Sequence, residues 1–522
     1  MKNKLFQSEF VLLLIFLLYS VGLSGLSIPL TGDQKVYLSI ALEMREKHSW
    51  IIPYLYDVPN FLKPPFQYWM TLSGWNIFGF SILGALLPSV LALVGTAWVT
   101  NQISEQLTSK KTWLAGVFFA AGLGTMTYGT TAQMEIWIVL FYWAAWLAFL
   151  KERLICAFVL VGVMAWVKGP LYPALWVMST MLWYLLHRRS KEMLRPKFIF
   201  SLGLGILVGM SWYVLAARTQ SQAMFQEFFQ KENLGKMQTH QGTPWGLWGE
   251  FLYSLLPWGI YLLVHFDAAF KVVRVHYRSF VAFALIPALF FTFFPYRVNT
   301  YLYLLTPLFA MIAVELDSKN KFAQRAGILF ASLIAIVAVL ICLRLVQGQW
   351  ISMGTGFALM MTLVLWLLSL SQVGAWGKLS SPLAWFALSS LMMVNLVRMG
   401  AVEIGETEVA QLRATVHYQL GDHEIAYWVT DHDIWHERGL ISSAVNKPIR
   451  RIEEKSDLSA FLKSGGTLIL NDEQVLEGIS LRCYPWIRLK RRLKFPLKDF
   501  LIEGISWGDP RITRKYQICK SS

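Results

Sequence analysis

Five short polar elements interrupt a chain that is otherwise strongly apolar, and their residue types could bind and process a charged lipid. Asp33 and Glu135 supply carboxylates, while Lys63, Lys168 and Arg297 supply fixed positive charge. Two acids and three cations on one membrane surface would suit a negatively charged headgroup together with a polar second substrate. The same elements and the loop beside them also carry Tyr37, Tyr68, Tyr301 and His240.

The second polar element, residues 60–69 (NFLKPPFQYW), places Lys63 directly before Pro64 and Pro65. Two consecutive prolines fix the backbone and disfavour helix at the preceding residue, so Lys63 is presented on a stiff extended segment. Snorkelling of the lysine toward water is the alternative explanation. For Asp33 the alternative is a cap on an interfacial helix. Glu135 opens an apolar helix, where desolvating an acid is costly unless it has a partner or a role.

The composition places these elements in a membrane protein. Hydrophobic residues make up 55% of the 522 positions, charged residues only 15%, and the mean hydropathy is +0.46. An ordinary soluble fold of this size does not show these values. The net charge of +15 could indicate nucleic acid, but the basic residues are spread between apolar spans, as orientation signals are. We therefore expect membrane lipids, and no nucleic acid, among the partners.

A scan with a window of about 20 residues predicts about thirteen transmembrane helices. Basic connections alternate with the polar elements, so the positive-inside rule places the N-terminus in the cytoplasm and the polar elements and the C-terminus outside. The first apolar stretch is long enough to span, and we expect it to be retained rather than cleaved as a signal peptide. The predicted spans are 9–29, 81–100, 112–128, 134–150, 154–168, 169–187, 198–216, 248–266, 279–294, 300–316, 325–346, 351–370 and 381–399.

Two long outer connections, 30–80 and 217–247, contain amphipathic stretches that predict helices lying at the membrane interface. They belong to a predicted all-α polytopic membrane domain, residues 1–399. The tail, 400–522, carries more charge, and its segments EIAYWVT and GGTLILN are typical of buried strands. We therefore expect a small extracytoplasmic α/β domain there, in which Cys483 and Cys519 could form a disulfide.

The order of the motifs resembles that of the bacterial aminoarabinose and protein-mannosyltransferase-type glycosyltransferases of the GT-C class. The matching motifs are D-x-x-x-Y, KPP-F-Q-Y-W about thirty residues later, an acid opening the fourth span, W-V-KGP, SWYVLAAR, FF-x-x-E-N, LLPW and R-x-x-x-Y-L-x-L. The resemblance covers most of residues 10–315. It implies thirteen helices with an outer α/β domain. It also implies transfer of a sugar from a polyprenyl (undecaprenyl) phosphate to a lipid, glycan or protein acceptor on the outer face of the bacterial cytoplasmic membrane.

The residues named above suit that chemistry. When the sugar is transferred, the leaving group is polyprenyl phosphate, which is a stable anion at neutral pH. The site therefore needs fixed positive charge more than a general acid. Lys63 and Arg297 are the candidates for binding the donor phosphate. Asp33 is the candidate catalytic residue, either as general base toward an acceptor hydroxyl or, with a phosphate acceptor, as stabiliser of the oxocarbenium-like sugar. The candidates for substrate binding are Tyr37, Tyr68, Lys168, Tyr301 and His240.

The sequence also departs from the family pattern. Gln34 stands where a second acid is common, and Leu62 stands where an acid often precedes the lysine. Asn233 replaces a frequent histidine, and Val36 replaces a frequent basic residue. Glu135 thus lacks two co-ligands for a divalent metal ion, and three good ligands are the usual minimum for a tight catalytic metal. No cofactor is certain from the sequence, and a divalent metal at Glu135 stays open.

Two other classes of function stay open as well. A lipid-linked sugar transporter would need polar residues near the bilayer midplane and broken, internally repeated helices, whereas this sequence concentrates its polar groups at one surface. A catalytically weakened homologue that binds polyprenyl phosphate is the second class, and Gln34, Leu62 and Asn233 favour it. Consumption of the donor would distinguish the transferase from both.

Overall fold

Apolar helices make up most of the structure, as the composition predicts. The computed structural model describes residues 2–24, 32–55, 57–108, 113–275, 278–316, 352–373 and 380–403, with single residues and short segments between 329 and 347 and between 425 and 521. The first helices are α1 (Lys2–Ser24), α2 (Gly32–Glu46), α3 (Phe66–Phe78), α4 (Ile82–Thr108), α5 (Leu114–Ala120), α6 (Leu123–Tyr128), α7 (Glu135–Leu150), α8 (Leu154–Lys168) and α9 (Leu171–Leu186).

A 3-10 helix (Ser190–Leu194) leads into α10 (Pro196–Met224), which continues as a π-helix (Phe225–Leu234) and the short α11 (Gly235–Gln238). The next helices are α12 (Pro244–Leu255), α13 (Gly259–Val264), α14 (Phe266–Val275) and α15 (Arg278–Phe293). A second 3-10 helix (Asn299–Leu305) precedes α16 (Thr306–Val314), and two long helices follow, α17 (Met353–Val373) and α18 (Ser380–Glu403).

Among the described residues, two continuous helices are long and apolar enough to cross a membrane, Ile82–Leu107 and Pro196–Gln238. Eight shorter apolar helices accompany them, each of 10–17 residues. The predicted total of about thirteen spans and the domain boundary at residue 399 therefore stay predictions.

Two predicted spans are each divided into two helices. The span predicted at 112–128 ends as α5 at Ala120 and begins again as α6 at Leu123, and the span predicted at 248–266 is divided between α12 and α13. The two breaks meet, because the backbone N–H of Leu123 donates to the carbonyl oxygen of Leu256 at 2.7 Å. A backbone group freed by a helix break in apolar surroundings needs such a partner, so each break satisfies the other.

Helices α8 and α10 pack closely because glycines line their contact. A Cβ added at Gly162 would come within 2.4 Å of the carbonyl oxygen of Gly205, so the two backbones approach to a distance that only glycine allows. Small residues permit this close approach where the surroundings are as apolar as the helices themselves. The close contact holds the middle of α8 against α10.

The amphipathic stretches of the two long connections are helical, as predicted from the sequence. The first forms α2, and the second forms the π-helix and α11. Between α2 and α3 lies a small antiparallel hairpin of β1 (Tyr54–Leu55) and β2 (Val58–Pro59), which leads the chain into the loop of Lys63.

The tail contains the two strands that the sequence predicts, in a six-stranded mixed sheet. Its strands are β3 (Ile425–Trp428), β4 (Arg450–Ile452), β5 (Thr467–Asn471), β6 (Leu481–Cys483), β7 (Ile487–Lys490) and β8 (Thr513–Ser521), and α19 (Lys455–Lys463) accompanies them. Strand β3 pairs in parallel with β4 and β5, while β8 runs antiparallel to β5, β6 and β7. Cys483 and Cys519 are opposite each other on β6 and β8 and form a disulfide, which confirms that expectation.

Candidate active site

Two groups of buried charged side chains lie close together, and both contain residues that the sequence singled out. The first group joins Lys63 to the π-helix, and the second joins Lys168 to Glu135. The charges of the two groups influence each other, since the electrostatic surroundings of Lys63 include Lys168 and those of Tyr37 include Glu135. Five elements therefore contribute to one polar site: α2, the loop before α3, the start of α7, the end of α8, and the π-helix.

The first group consists of two lysines that share one carboxylate. The Nζ atoms of Lys63 and Lys236 both contact Oε1 of Glu232. The side chains of Lys63 and Glu232 are only 19% and 17% exposed. Burial lowers the pKa of Lys63 to about 8, and the attraction of Glu232 offsets this only in part because Lys236 is a second positive charge beside it. The group carries one more positive charge than negative charge when all three are ionised.

The prolines after Lys63 fix the position of this group. Pro64 and Pro65 are both buried, and α3 begins directly after them. The backbone N–H of Phe61 donates to Oε2 of Glu227 at 2.7 Å, which ties the lysine loop to the π-helix from the other side. The prolines after Lys63 and the hydrogen bond before it thereby hold the lysine loop against the π-helix that carries Glu232.

Glu232 and Lys236 are site residues that the sequence analysis missed. They lie four residues apart in the amphipathic segment that was predicted as an interfacial helix, and an acid and a lysine at this spacing face each other on a helix. That spacing was the available signal. It did not reveal that the pair would be buried against Lys63.

The second group is an ion pair between the ends of two apolar helices. Nζ of Lys168, the last residue of α8, lies 2.7 Å from Oε1 of Glu135, the first residue of α7. Both side chains are buried, at 13% and 14% exposure. The hydroxyl of Thr300 donates to the same carboxylate oxygen at 3.2 Å, and the ammonium group lies 5.5 Å from the ring centroid of Tyr301. Tyr301 thus lies beside the ammonium group of this ion pair.

These contacts also decide whether a divalent metal would fit at Glu135. Its carboxylate is already bound to a lysine ammonium group and a threonine hydroxyl. Across the described part of the chain, no three His, Cys, Asp or Glu side chains are grouped as metal ligands. Asn233 donates its side-chain amide to the carbonyl oxygen of Phe228 at 2.6 Å, within its own helix. The donor set does not suit a metal, so we assign no step to one.

Tyr37 of α2 and Tyr68 of α3 lie beside the two charged groups. The rings of Tyr37 and Tyr68 meet edge to face, with centroids 5.9 Å apart. Burial raises the pKa of Tyr37 well above its usual range, and the acids Asp33, Glu135 and Glu232 raise it further. Both tyrosines therefore stay neutral hydroxyl groups at any physiological pH.

Two buried polar atoms of α3 have no hydrogen-bond partner among the described residues. They are the hydroxyl oxygen of Tyr68 and Oε1 of Gln67. Leaving such groups unpaired costs free energy, and a ligand that binds them recovers it. The hydroxyl groups of a sugar would supply suitable partners beside Tyr37.

Asp33 lies in the first turn of α2, one helical turn before Tyr37, and its side chain is exposed. A carboxylate in this position faces water and the N-terminal end of a helix, where negative charge is favoured. Asp33 is thus exposed, whereas Glu135 and Glu232 are buried and paired with lysines.

The contacts of Arg297 are with backbone carbonyl groups. Its Nε donates to the carbonyl oxygen of Thr292 at 2.9 Å, and its backbone N–H donates to the carbonyl oxygen of Gln241 at 2.8 Å. It thus joins the end of α15 to the loop that contains the exposed His240. No described contact links Arg297 or His240 to Lys63, so donor-phosphate binding by Arg297 and substrate binding by His240 stay predictions.

Comparisons with known proteins identify several relatives of this chain. No family model matches the chain. An uncharacterized protein of Aquifex aeolicus is 24% identical over 65% of this chain and 69% of its own length. Undecaprenyl phosphate-alpha-4-amino-4-deoxy-L-arabinose arabinosyl transferases are 27% identical in Pseudomonas savastanoi pv. phaseolicola, over 44% of this chain and 45% of the relative, and 27% identical in Pseudomonas aeruginosa, over 57% of each. The chain thus matches about half the length of these two transferases.

Solved structures match over nearly the whole length. The crystal structure of ArnT from Cupriavidus metallidurans in the apo state has a TM-score of 0.69 at 15% identity, covering 90% of this chain and 93% of that one. The same protein bound to undecaprenyl phosphate has a TM-score of 0.72 at 14% identity, covering 99% and 98%. At this identity the likeness shows a shared fold.

Proposed function

We propose that this chain, a relative of the undecaprenyl phosphate aminoarabinose transferases that shares their polytopic helical fold, is a membrane glycosyltransferase that uses a polyprenyl-phosphate sugar donor. Its relatives bear out the resemblance that the KPP and KGP motifs indicated. The observation that carries the proposal is the buried group of Lys63, Glu232 and Lys236, together with the unpaired hydroxyl of Tyr68 near Glu232.

The charges of this group fit a phosphodiester donor. Lys63 and Lys236 offer two ammonium groups, and Glu232 neutralises only one of them. A donor phosphate would take the place of the Glu232 carboxylate between the two lysines. Both lysines would then share the phosphate as their anionic partner. Positive charge held in place before the reaction stabilises the departing phosphate without a general acid. Pro64 and Pro65 keep Lys63 from following Glu232 when the carboxylate moves away.

The transfer step can be written with the residues of this site. The bond between the sugar C1 and the phosphate oxygen breaks, and polyprenyl phosphate leaves with the electron pair as an anion beside Lys63 and Lys236. An acceptor hydroxyl oxygen forms the new bond to C1, and its proton passes to the exposed carboxylate of Asp33. The hydroxyl of Tyr68 and the amide oxygen of Gln67 hold the sugar in position. With a phosphate acceptor, Asp33 would instead stabilise the positive charge that develops on the sugar.

The pair of Lys168 and Glu135 has a positioning role in this proposal. Its charges cancel, so it adds little to phosphate binding, but it joins α7 and α8 at the floor of the site. We propose that the site lies on the outer face of the cytoplasmic membrane and that the acceptor is a lipid, glycan or protein of that face.

Donor consumption by purified protein tests the proposal. We expect a radiolabelled undecaprenyl-phosphate sugar to be consumed in the presence of membrane acceptors, and Lys63→Ala to lose both donor binding and turnover because its charge acts before and during the reaction. Lys231→Ala is the matched control, since this lysine neighbours Glu232 but is exposed. It should keep wild-type activity.

Other outcomes would favour the other two classes. Donor binding without consumption, with every acceptor offered, would indicate the weakened homologue. Donor that crosses a liposome membrane unchanged would indicate a transporter. For the proposed face, reporter fusions after Arg189 and Lys321 should report cytoplasm, and fusions after Gln238 and at the C-terminus should report the outer side. A cytoplasmic C-terminus would contradict the shared outer face.

A further inference from the structure

A polar cavity lies at the ends of α7 and α8 that are opposite to the candidate active site. It has a volume of about 270 Å³ and is lined by the ends of α7, α8, α9 and α10. Helix α8 begins at this cavity with Leu154 and ends in the active site with Lys168. Its 15 residues separate the two sites by about 22 Å. The cavity is therefore distinct from the donor site.

Basic side chains outnumber acidic ones around this cavity, whose lining also includes Glu152 and Glu192. Arg189, Arg195 and Lys197 line it, and they come from a segment, HRRSKEMLRPK, that holds five arginines and lysines within eleven residues. Arg189 donates from Nε to Oε1 of Glu192 at 2.7 Å, so its charge is already paired. Nζ of Lys197 donates to the backbone carbonyl oxygen of Glu152 at 3.4 Å. In the described part of the chain, Arg195 and Lys197 have no carboxylate partner.

The backbone adds donors to the same cavity. Helix α8 begins with Leu154, which lines the cavity. Helix α10 begins with Pro196, and the next residue, Lys197, lines the cavity. Their cap residues, Arg153 and Arg195, make no side-chain hydrogen bond to the helix ends. The first N–H groups of a helix are free donors, and the helix dipole favours an anion beside them. Two helix ends and two unpaired cations thus face one space.

The other part of the lining is apolar. Trp183 and Phe198 contribute aromatic rings to the cavity wall. Just outside it, Leu194 and Phe200 are strongly exposed, at 77% and 62%. A ligand with an anionic head could therefore continue as hydrocarbon along the exposed apolar side chains. A free sugar phosphate or inorganic phosphate would leave them uncovered.

We infer that this cavity binds the phosphate headgroup of an anionic phospholipid. The phosphate lies between Arg195, Lys197 and the N-terminal ends of α8 and α10, and the acyl chains run past Leu194 and Phe200. Basic pockets between transmembrane helices are suited to such headgroups. The lipid would thereby join α8 and α10 at the end that is remote from the active site. The inference depends on the membrane fold and not on the proposed transferase activity.

Lipid binding to the purified full-length protein tests this inference. Native mass spectrometry would count bound phosphatidylglycerol and phosphatidylcholine for wild type and for Arg195→Gln/Lys197→Gln. One basic side chain near an anionic headgroup is worth about fivefold in affinity, so the double variant should lose roughly 30-fold for phosphatidylglycerol. Lys271→Gln/Arg274→Gln is the matched control, because it removes the same charge from exposed positions of α14 outside the cavity. It should change the affinity less than twofold.

Three results would overturn the inference. Equal losses in the two double variants would mean that only overall charge matters. Equal binding of phosphatidylcholine by wild type would remove the need for an anionic head. Displacement of the lipid by millimolar glycerol phosphate or inorganic phosphate would show that a soluble phosphate, rather than a lipid, is the ligand. The melting temperature of each variant in detergent, expected within a few degrees of wild type, separates a lost site from a lost fold.

Discussion

The affinity for the donor lipid should fall as the pH rises through about 8, because Lys63 loses its charge there. Burial lowers the pKa of Lys63 to about 8, and Glu232 offsets burial only in part since it also binds Lys236. The charged form of Lys63 therefore prevails below pH 8 and is lost above it. The pKa of Lys236 is raised, since the attraction of Glu232 outweighs its burial, so Lys236 stays charged throughout this range.

The size of the effect follows from the fraction of charged Lys63. With a pKa of about 8, this fraction is about 0.76 at pH 7.5 and about 0.03 at pH 9.5, so Kd should rise about 25-fold between these two values. A charge-assisted hydrogen bond contributes about 1.5–3 kcal/mol, or roughly 10- to 150-fold in affinity. The pH effect lies within this interval. It cannot exceed the loss caused by Lys63→Ala at pH 7.5, which sets an internal limit.

Equilibrium binding of undecaprenyl phosphate to the purified protein, followed by tryptophan fluorescence from pH 7.5 to 9.5, measures the effect. The second ionisation of a phosphate monoester lies near pH 6, so the ligand keeps its charge over this range. Lys63→Arg should bind with no pH dependence because arginine stays protonated. Lys236→Ala should bind more weakly, and its fall should move to higher pH, because the pKa of Lys63 rises when the second positive charge beside Glu232 is removed. An affinity that is constant within twofold for wild type, or an equal fall in Lys63→Arg, would refute the reasoning.

Three further predictions concern the other parts of the structure. Asp33→Asn should lower turnover by roughly 100-fold or more while the affinity for undecaprenyl phosphate changes less than about twofold, and near-normal turnover would show that Asp33 is not the catalytic residue. Glu135→Gln leaves Lys168 as an unpaired buried charge, so it should lower stability in detergent by about 3–5 kcal/mol, and Glu135→Gln/Lys168→Met should recover most of this loss. A chelator should leave wild-type activity unchanged. Loss of activity on chelation, restored by a divalent metal, would contradict the absence of a metal step. Replacing Cys483 and Cys519 by serine should destabilise the tail sheet by about 2–4 kcal/mol, measured by limited proteolysis in denaturant, and unchanged resistance would mean that the disulfide does not stabilise the sheet.

The sequence allowed the elements of the site to be predicted, but not the pairs that they form. Pro64 and Pro65 act through their own backbone, so a stiff loop at Lys63 follows from local chemistry. The partner of Lys63 is 169 residues away, and that of Lys168 is 33 residues away. Residue types show that acids and cations are present on one predicted surface. They do not show which acid meets which cation.

Helix breaks show a similar limit. Hydropathy predicts one span over 112–128 because every residue of it suits a membrane. The break after Ala120 depends on a hydrogen bond between Leu123 and Leu256, which are far apart in the chain. Arg297 is a comparable case, since its side chain binds the carbonyl oxygen of Thr292 and its backbone binds Gln241. Backbone carbonyl groups are present at every position, so such partners leave no pattern in the sequence.

The departures from the family pattern become consistent when the charges of the site are considered together. Where the family frequently has a histidine, Asn233 is bound within its own helix, and where an acid often precedes the lysine, Leu62 carries no charge. Both changes remove side chains that could serve as ligands of a divalent cation. An anionic leaving group still requires positive charge, and Lys236 beside Lys63 supplies a second ammonium group at the place where the π-helix meets the lysine loop. The loss of metal ligands therefore does not by itself indicate an inactive protein, because a pair of lysines can stabilise the same phosphate.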